Sequence, residues 1–539
     1  MYKPEEINPY TFDEFLQVRD SYNDWEDNEF LQKIAKHFIK EDWDRIAENL
    51  KTFSKKTSFK WRKVAEEIAR PEKHPTIRHF DAYNHRIDEI VRPYEAVEMQ
   101  NEVFAEKFFS DETPLWEQML KRHLLHHNGE AGIMCPIACT DGLVDLLENF
   151  KHELPDELKE MLRHCKEGID GDFGVGAQFM TEIQGGSNIP ANVLKAVPEG
   201  GRYRLYGTKF FCSAIHADYT VITAKVEGSG HVATFVVPLW ENKEKKIRNR
   251  YVINRLKWKL GTTELPSGEV TFEGSKAYQI GPLEKGVAIA VGIVLTKSRL
   301  DIGLASSAFM LRAVREALQY SQFREVFGRR IYEFPLAAGQ LEEIERTAKR
   351  TTAGVFKVYH MYLSQKNRND SASEAAKREQ FLLRELILLQ KIKAAKDTIE
   401  TLRTAISIFG GNGVIEDFSA IPRLYRDAMV NELWEGPRNV LLAQIHRDLN
   451  RIASWYPPEQ FVSDLLENVE SAVVKEYAEQ LKTLLACNLT AEPNVETVQA
   501  AREWERFCDD LFFHYQEQAL KEVGDAPIVK KYSFKKQLS

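Results

Sequence analysis

The sequence predicts an α+β protein that is mainly helical, and two observations lead to that class. Apolar residues recur at helical spacing over residues 12–151 and again over 286–409. Between these regions, residues 171–274 are rich in glycine turns and in short stretches of β-branched and aromatic residues. We therefore predict four segments in chain order: an N-terminal helical region (1–175), a central antiparallel β domain (176–280), a C-terminal helical bundle (281–454) and a helical extension (455–539).

The N-terminal region is charged and rich in aromatic residues. Its helical pattern is interrupted by prolines, namely Pro71, Pro75, Pro93 and Pro114. The spacing of His123, His126 and His127 would place three imidazoles on one helix face, which is one way to build a metal site. Because no acidic residue or cysteine accompanies them at metal-ligand spacing, we predict packed or solvated histidines and no metal.

In the central region, three stretches with strand-like composition cover residues 203–212, 219–225 and 231–239. Gly228 and Gly230 should close a hairpin between the second and the third. The glycines of 171–176 (GDFGVG) do not match GxGxxG and do not lie between a strand and a helix. A Rossmann cofactor site is therefore not expected.

The C-terminal half shows long apolar stripes, one of which consists of Leu304, Leu311, Val314 and Leu318. Long helices with short connections imply an antiparallel bundle. After residue 455 the chain adds a helical extension with an acidic body and a short basic end.

Composition narrows the function classes. A net charge of −8 and a pI near 6.0 argue against a general DNA-binding protein, which needs a basic face. The six cysteines include no CxxC pair, so neither a zinc site nor a disulfide framework is indicated. No run of eighteen apolar residues and no leader pattern at the start are found, so we expect a cytoplasmic protein without a membrane segment.

Residues 420–440 (AIPRLYRDAMVNELWEGPRNV) contain the strongest candidate for a catalytic group. The pattern predicts a turn into Tyr425, a short extended piece and a helix restarting near Pro437. Glu435 then lies at the end of an element, between Trp434 and Gly436. A carboxylate in that setting could act as a partly desolvated general base, or could simply favour a helix N-terminus electrostatically.

A glycine turn precedes this stretch. The segment 408–414 (IFGGNGV) ends a long helix, so Gly410 and Gly411 are candidates for its C-terminus. They could be simple caps, or could leave backbone amides open to a phosphate or an adenine edge.

Several motifs together resemble the acyl-CoA dehydrogenase family. In family order they are a GGxG turn (Gly410, Gly411, Gly413), an Arg-Asp pair (Arg426, Asp427) and a base in a Trp-Glu-Gly context at Glu435. Segments 80–90 (FDAYNHRIDEI) and 130–140 (EAGIMCPIACT) resemble the AidB-like branch. The resemblance implies a helical N-terminal region, a central β domain, a C-terminal four-helix bundle, and FAD bound in a homotetramer.

Two segments of the β region carry the flavin part of the resemblance. FMTEIQGGSN (179–188) is similar to the family's T-E-P-G-A-G-S-D segment, which implies that Thr181 donates to the flavin pyrimidine edge. Ser187 would then lie near the pantetheine and thioester of the substrate.

The second segment, KFFCSA (209–214), is similar to the family's K-x-W-I-T-N strand. Phe211 would stack on the isoalloxazine in place of the usual Trp, and Ser213 would replace the Thr near N5. An isoalloxazine needs a flat apolar partner on one face and short hydroxyls or amides at its polar rim, which these residues can supply.

Three further residues receive roles from the resemblance. Arg324 and Phe327, in FREVFGRR (323–330), would reach the FAD diphosphate or adenine of a neighbouring subunit, together with the Gly410 turn. Arg299 would help to hold the Glu435 region in register. An alternative base position, on the helix just before Arg299, is occupied by Ser298, which cannot deprotonate a thioester unaided.

Two functions are therefore expected from the sequence. The first is an FAD-dependent acyl-CoA dehydrogenase that performs α,β-dehydrogenation of a fatty acyl-CoA thioester and uses an unidentified electron acceptor. The alternative is an AidB-like flavoprotein that binds acyl chains or shields nucleic acid with little turnover. The acidic extension argues against DNA binding in either case.

Overall fold

The structure is a computed structural model that describes residues 10–244, 246–366 and 373–535. The chain forms two compact units. The first comprises Met1–Arg62, His126–Asn128 and Ile302–Ser539, and the second comprises Lys63–Leu125 and Gly129–Asp301. The finer division into four segments stays a prediction.

Helices make up most of the described chain. In order they are α1 Asp13–Ser21, α2 Glu29–Ile39, α3 Trp43–Lys55, α4 Arg62–Ile68, α5 Tyr94–Phe104, α6 Leu115–His126, α7 Ala131–Asn149, α8 Asp156–Glu167, α9 Gly286–Ile289, α10 Thr296–Phe323, α11 Pro335–Lys366, α12 Glu374–Phe409, α13 Ile421–Leu433, α14 Arg438–Ile452, α15 Pro458–Leu465, α16 Ser471–Leu485 and α17 Val495–Val523. Of these described helices, none is long and apolar enough to cross a membrane.

The strands concentrate in the second unit. In order they are β1 Thr76–Phe80, β2 Arg86–Val91, β3 Gly176–Phe179, β4 Lys195–Glu199, β5 Arg202–Ser213, β6 Tyr219–Val226, β7 Val232–Pro238, β8 Trp240–Asn242, β9 Ile247–Arg248, β10 Tyr251–Leu256, β11 Ser267–Ile280, β12 Glu325–Val326 and β13 Arg329–Arg330. The three predicted strands are confirmed as β5, β6 and β7. The glycine hairpin between β6 and β7 is confirmed as well.

The main sheet has the strand order β10-β11-β5-β4-β6-β3, and β7 pairs with both β11 and β6. Five strands therefore close into a ring, which leaves few open edges. Most pairings of the sheet are antiparallel, as predicted, but two are not, because β3 and β4 each run parallel to β6. Sequence patterning detects hairpin neighbours, whereas these partners meet only through longer connections.

A hairpin interrupts the predicted N-terminal helical region. Strands β1 and β2 pair across 81–85, where Asp81 Oδ1 accepts from the backbone N–H groups of Tyr83 and His85 and Asn84 has φ +62°. The segment 80–90 that resembles the AidB-like branch is thus mostly part of this hairpin.

In the first unit, the long helices α11 and α12 pack against each other and against α17. Helix α13 corrects the prediction for residues 420–433, which form neither a turn nor an extended piece. Pro422 lies in the first turn of this helix, where a missing N–H costs nothing. Ile421, Leu424 and Ala428 bury one face. The restart near Pro437 is confirmed by α14.

The three histidines at 123, 126 and 127 are buried. In the first unit, His127 Nδ1 lies 3.4 Å from Asp24 Oδ1, and burial lowers the pKa of His127 to about 4. The imidazole is therefore neutral at pH 7 and belongs to the packed interior. Within the described ranges, no group of three potential ligands could hold a metal ion.

Candidate functional site

In the second unit, a buried ion pair joins the two segments that carry the flavin resemblance. Lys209 Nζ, on β5, donates to Glu182 Oε1 at 2.8 Å and to the carbonyl of Met180 at 3.1 Å. Glu182 also accepts from the backbone N–H groups of Val193 and Leu194. Burial alone would raise the pKa of Glu182, but the attraction of Lys209 and these hydrogen bonds outweigh it, so the pKa is lowered. The carboxylate is therefore ionised and holds the two segments in register.

This register brings three of the predicted flavin residues together. The backbone N–H of Phe210 donates to the carbonyl of Thr181 at 2.9 Å, so Thr181 lies beside β5. Phe211, on the same strand, leaves 44% of its surface exposed, unlike a phenylalanine of a closed core. The Ser213 and Ser267 hydroxyl oxygens lie 3.0 Å apart across β5 and β11. An apolar ring and short hydroxyls thus occur together at one end of the strand.

The turn after Thr181 explains the glycines of this segment. A Cβ built at Gly186 would lie 2.4 Å from the Thr181 hydroxyl oxygen, so only glycine leaves that hydroxyl in place. Gly185 has φ +131°, which side chains rarely tolerate. Ser187 follows in the same turn and is exposed.

Arg299 lies in the first turn of α10 and is buried. Its neighbour Ser298 accepts a hydrogen bond from Gln178 Nε2 at 3.1 Å, which ties the start of this helix to β3. The role of Arg299 toward Glu435 stays a prediction.

In the first unit, Arg324 and Phe327 belong to the tight hairpin of β12 and β13. Phe327 has φ +50°, Gly328 has φ +74°, and the phenylalanine ring is 97% exposed. A bulky residue with positive φ is uncommon and strained. The Arg324 guanidinium lies 4.8 Å from the centre of the Tyr10 ring, which restricts its position. The hairpin therefore projects an aromatic ring into open space.

The glycine turn lies beside this hairpin. Tyr320 connects the two, because its carbonyl accepts from the Arg324 N–H and its hydroxyl accepts from Asn412 Nδ2. Gly410, with φ +61°, ends α12, and it and Gly411 are exposed with open space where a Cβ would stand. A Cβ at Gly413 would lie 2.2 Å from the Ile406 carbonyl oxygen. The backbone of Gly410 and Gly411 is thus accessible to a ligand.

Glu435 lies in the turn between α13 and α14, as the element-end prediction states. Its φ is +61°, followed by φ +107° at Gly436. The α13 helix ends at Leu433, and Pro437 precedes the first residue of α14. Left-handed backbone at a non-glycine residue costs roughly 1–3 kcal/mol and clusters at functional sites. The side chain is half-buried, so it has access to a ligand without full hydration.

Sequence reasoning missed the Glu182–Lys209 pair and Ser267. A lysine at an inward-facing position of a predicted strand was the available signal, since a buried cation requires a partner. Nothing in the sequence marked Ser267, which depends on the register of β11 with β5.

Comparisons with known proteins agree with this architecture. Residues 284–450 match the family model "Acyl-CoA dehydrogenase, C-terminal domain", and residues 17–166 match "Adaptive response protein AidB N-terminal domain". The chain is 28% identical over 452 residues to "Acyl-CoA dehydrogenase family member 11" of Caenorhabditis elegans, which covers 79% of this chain and 70% of that protein.

Two further similarities extend the comparison. The chain is 30% identical over 345 residues to "Putative acyl-CoA dehydrogenase AidB" of Escherichia coli (strain K12), covering 62% of this chain and 60% of that protein. The solved structure "Bd2924 apo-form" superposes with a TM-score of 0.81 at 27% identity, covering 93% of this chain and 98% of the other. The chain therefore belongs to the acyl-CoA dehydrogenase family. The match over residues 17–166 assigns it to the AidB-like branch.

Proposed function

We propose that this protein is an FAD-dependent acyl-CoA dehydrogenase, which removes the α proton and the β hydride of a fatty acyl-CoA thioester. The observation that carries the proposal is Glu435, a half-buried carboxylate on left-handed backbone in a glycine turn between two helices. A strained backbone conformation of this kind persists where the surrounding structure stabilises it, and such residues cluster at functional sites. A cytoplasmic location is part of the proposal.

The residues of the β domain fit the flavin. Phe211 offers a partly exposed ring for stacking, while Ser213 and Thr181 offer hydroxyls beside it. The Gly410 N–H donates to the Ser407 carbonyl, so the exposed backbone at Gly411 and the guanidinium of Arg324 are the groups of this turn and hairpin that suit a diphosphate or an adenine edge. FAD, when bound, supplies the acceptor for the hydride.

The chain's own residues then perform the proton chemistry. The carboxylate of Glu435 would take the α proton, and the electrons of that C–H bond would form the new double bond as the β hydrogen leaves as hydride. Trp434 is the adjacent apolar surface that would limit hydration of the carboxylate once a thioester is bound. Ser187, exposed in its turn, would contact the pantetheine.

The test is anaerobic bleaching of the reconstituted flavoprotein by acyl-CoAs of graded chain length. We expect the flavin absorbance to fall with at least one of them. A folded preparation that takes up no FAD would contradict the cofactor assignment. One that takes up FAD, yet is bleached by no acyl-CoA, would contradict dehydrogenation.

We also propose a homotetramer in which Arg324, Phe327 and the Gly410 turn complete a neighbour's FAD site. Phe327→Ala should weaken FAD binding by roughly 1–3 kcal/mol, the value of one aromatic stack on a base. The ring is 97% exposed, so folding of the isolated chain should not change. To measure the effect, the protein is diluted and the flavin that stays bound is determined by gel filtration with fluorescence detection.

Phe80→Ala is the matched control, because this half-exposed phenylalanine lies in the β1–β2 hairpin. It should leave flavin retention unchanged. A monomer by sedimentation that keeps stoichiometric FAD would contradict the shared site.

A second candidate function, an AidB-like protective flavoprotein with little turnover, is favoured by the match over residues 17–166. DNA binding separates the two. We predict weak binding to duplex DNA at physiological salt, because the net charge of −8 lets few phosphates be neutralised.

One basic run that could contact phosphates lies near the C-terminal end and comprises Lys530, Lys531, Lys535 and Lys536. Of these, Lys530 pairs with Glu29 at 2.9 Å, and Lys536 lies outside the described residues. Titration of a labelled duplex at several salt concentrations is the measurement. Nanomolar affinity with a steep salt slope would favour the protective function instead.

A further inference from the structure

A buried lysine on α12 contacts the turn that carries Glu435. Lys391 is fully buried, and its Nζ donates to the carbonyl of Glu432 at 2.8 Å and to the carbonyl of Gly436 at 2.7 Å. These carbonyls stand on either side of Glu435 in the chain. One ammonium group therefore forms hydrogen bonds to both ends of the turn that contains Glu435.

The position of Lys391 on its helix makes this contact informative. It lies in a buried stretch of α12 whose other members are mainly apolar, including Leu386, Leu388, Leu389 and Ile392. An ammonium buried there loses its hydration, so its hydrogen bonds to protein acceptors are needed to keep it in place. A fully apolar residue would suit packing alone, so the lysine serves the turn that it contacts.

A plain capping role accounts for only one of the two contacts. Glu432 is one of the last four residues of α13, whose carbonyls lack helical partners, and lysine often satisfies such groups. Gly436 lies three residues beyond the helix end, outside the set that a cap must satisfy. The second contact instead fixes the far side of the Glu435 turn.

We propose that Lys391 is the positioning residue for Glu435, holding this residue in its left-handed conformation. With the carbonyls of 432 and 436 anchored to one atom, the ends of the short backbone segment between them are fixed. Glu435 keeps its φ of +61° because the segment has little room to relax. The proposal rests on the proposed function, since the benefit of a fixed carboxylate is an aligned proton transfer.

Lys391→Met keeps the length of the side chain while removing the donor. If the turn relaxes, the carboxylate moves by an ångström or so, and misplacement of this size costs about 10²-fold in rate. We expect single-turnover flavin bleaching at saturating acyl-CoA to slow by that factor, with FAD content and acyl-CoA affinity unchanged. Lys391→Arg, which keeps a cationic donor, should recover part of the rate.

The matched control is Lys393→Met, the same substitution two residues along the same helix. Lys393 pairs with Asp397 at 2.5 Å, on the helix itself. This variant should bleach at the wild-type rate. The Glu435→Gln background gives a sharper comparison, because positioning has no value without the base. There, Lys391→Met should cause no further loss.

A spectroscopic measurement tests the positioning role of Lys391 independently of the proposed function. In protein labelled with 5-fluorotryptophan, the Trp434 fluorine signal can be assigned by its loss in Trp434→Phe. Lys391→Met should shift or broaden that signal without any substrate, whereas Lys393→Met should not. If no acyl-CoA bleaches the wild type, the proposed function fails and this signal alone decides the role of Lys391.

Three results would overturn the positioning role. They are an unchanged Trp434 signal in Lys391→Met, wild-type bleaching by that variant, and an equal loss of rate when Lys391→Met is added to Glu435→Gln. If Lys391→Met does not fold, the same comparisons are made with Lys391→Gln, whose shorter neutral side chain cannot replace the ammonium between the two carbonyls. A bleaching rate and a Trp434 signal both identical to wild type in that variant would contradict the proposal.

Discussion

Glu435→Gln should slow bleaching of the flavin by an acyl-CoA by about 10²- to 10⁴-fold, or roughly 3–5 kcal/mol of barrier, which is the typical contribution of a positioned general base. The amide keeps the size of the side chain and much of its hydrogen bonding, but it cannot accept the α proton. Single-turnover bleaching under anaerobic conditions is the measurement, because it isolates the chemical step from product release.

FAD content and acyl-CoA affinity should barely change in this variant, since the substitution removes a proton acceptor and not a binding surface. Glu400→Gln is a suitable control, because this exposed glutamate on α12 pairs with Arg403 and lies away from the turn in sequence. Unchanged bleaching in Glu435→Gln would remove Glu435 from the mechanism. The proposed function would then need another base.

The place of Glu435 at the end of an element was predictable, but its conformation was not. Gly436 and Pro437 mark a turn and a helix start by their own backbone preferences. The prediction of a turn and an extended piece before Gly436 was wrong. The buried face of α13, with Ile421, Leu424 and Ala428, is interspersed with polar residues, so the sequence shows no clear helical periodicity. The φ of +61° depends on contacts from another helix, which no local pattern encodes.

In the β domain, too, features set by neighbouring residues were predictable and features set by distant partners were not. Alternation and glycine turns located β5, β6 and β7, since those signals act between chain neighbours. The closure of the sheet through β7 and the parallel pairing of β3 with β6 involve distant partners. For the same reason, Thr181 and Phe211 were proposed from resemblance alone, whereas the ion pair that sets their register became visible only in three dimensions.

Removing one member of the Glu182–Lys209 ion pair should have the second large effect, on stability. Lys209→Met should destabilise the segments around β5 by about 3–5 kcal/mol, because Glu182 would remain buried without its counter-charge. Hydrogen exchange of peptides covering 179–194 and 205–213 reports local opening in a chain too large for a single unfolding transition. Adding Glu182→Gln should restore part of the loss, since the amide is far less costly to bury than a carboxylate.

The pH dependence distinguishes a buried charge from a simple packing defect. In the wild type the pKa of Glu182 is lowered, so its stabilising contribution is present above the unfolded-state pKa near 4.5 and is lost as the pH falls through the lower folded-state pKa. Without Lys209, burial is the largest remaining influence on the pKa of Glu182 and should raise it, so Lys209→Met should recover stability as acid neutralises the carboxyl. The variant should therefore gain stability as the pH falls from neutral to about 4.5, a range in which the contribution of Glu182 to the wild type is unchanged. The wild type should lose that contribution only below about pH 4.5, with exchange rates corrected for their intrinsic pH dependence. The double variant should lack both trends, and parallel curves for all three proteins would show that Glu182 carries no charge in the fold.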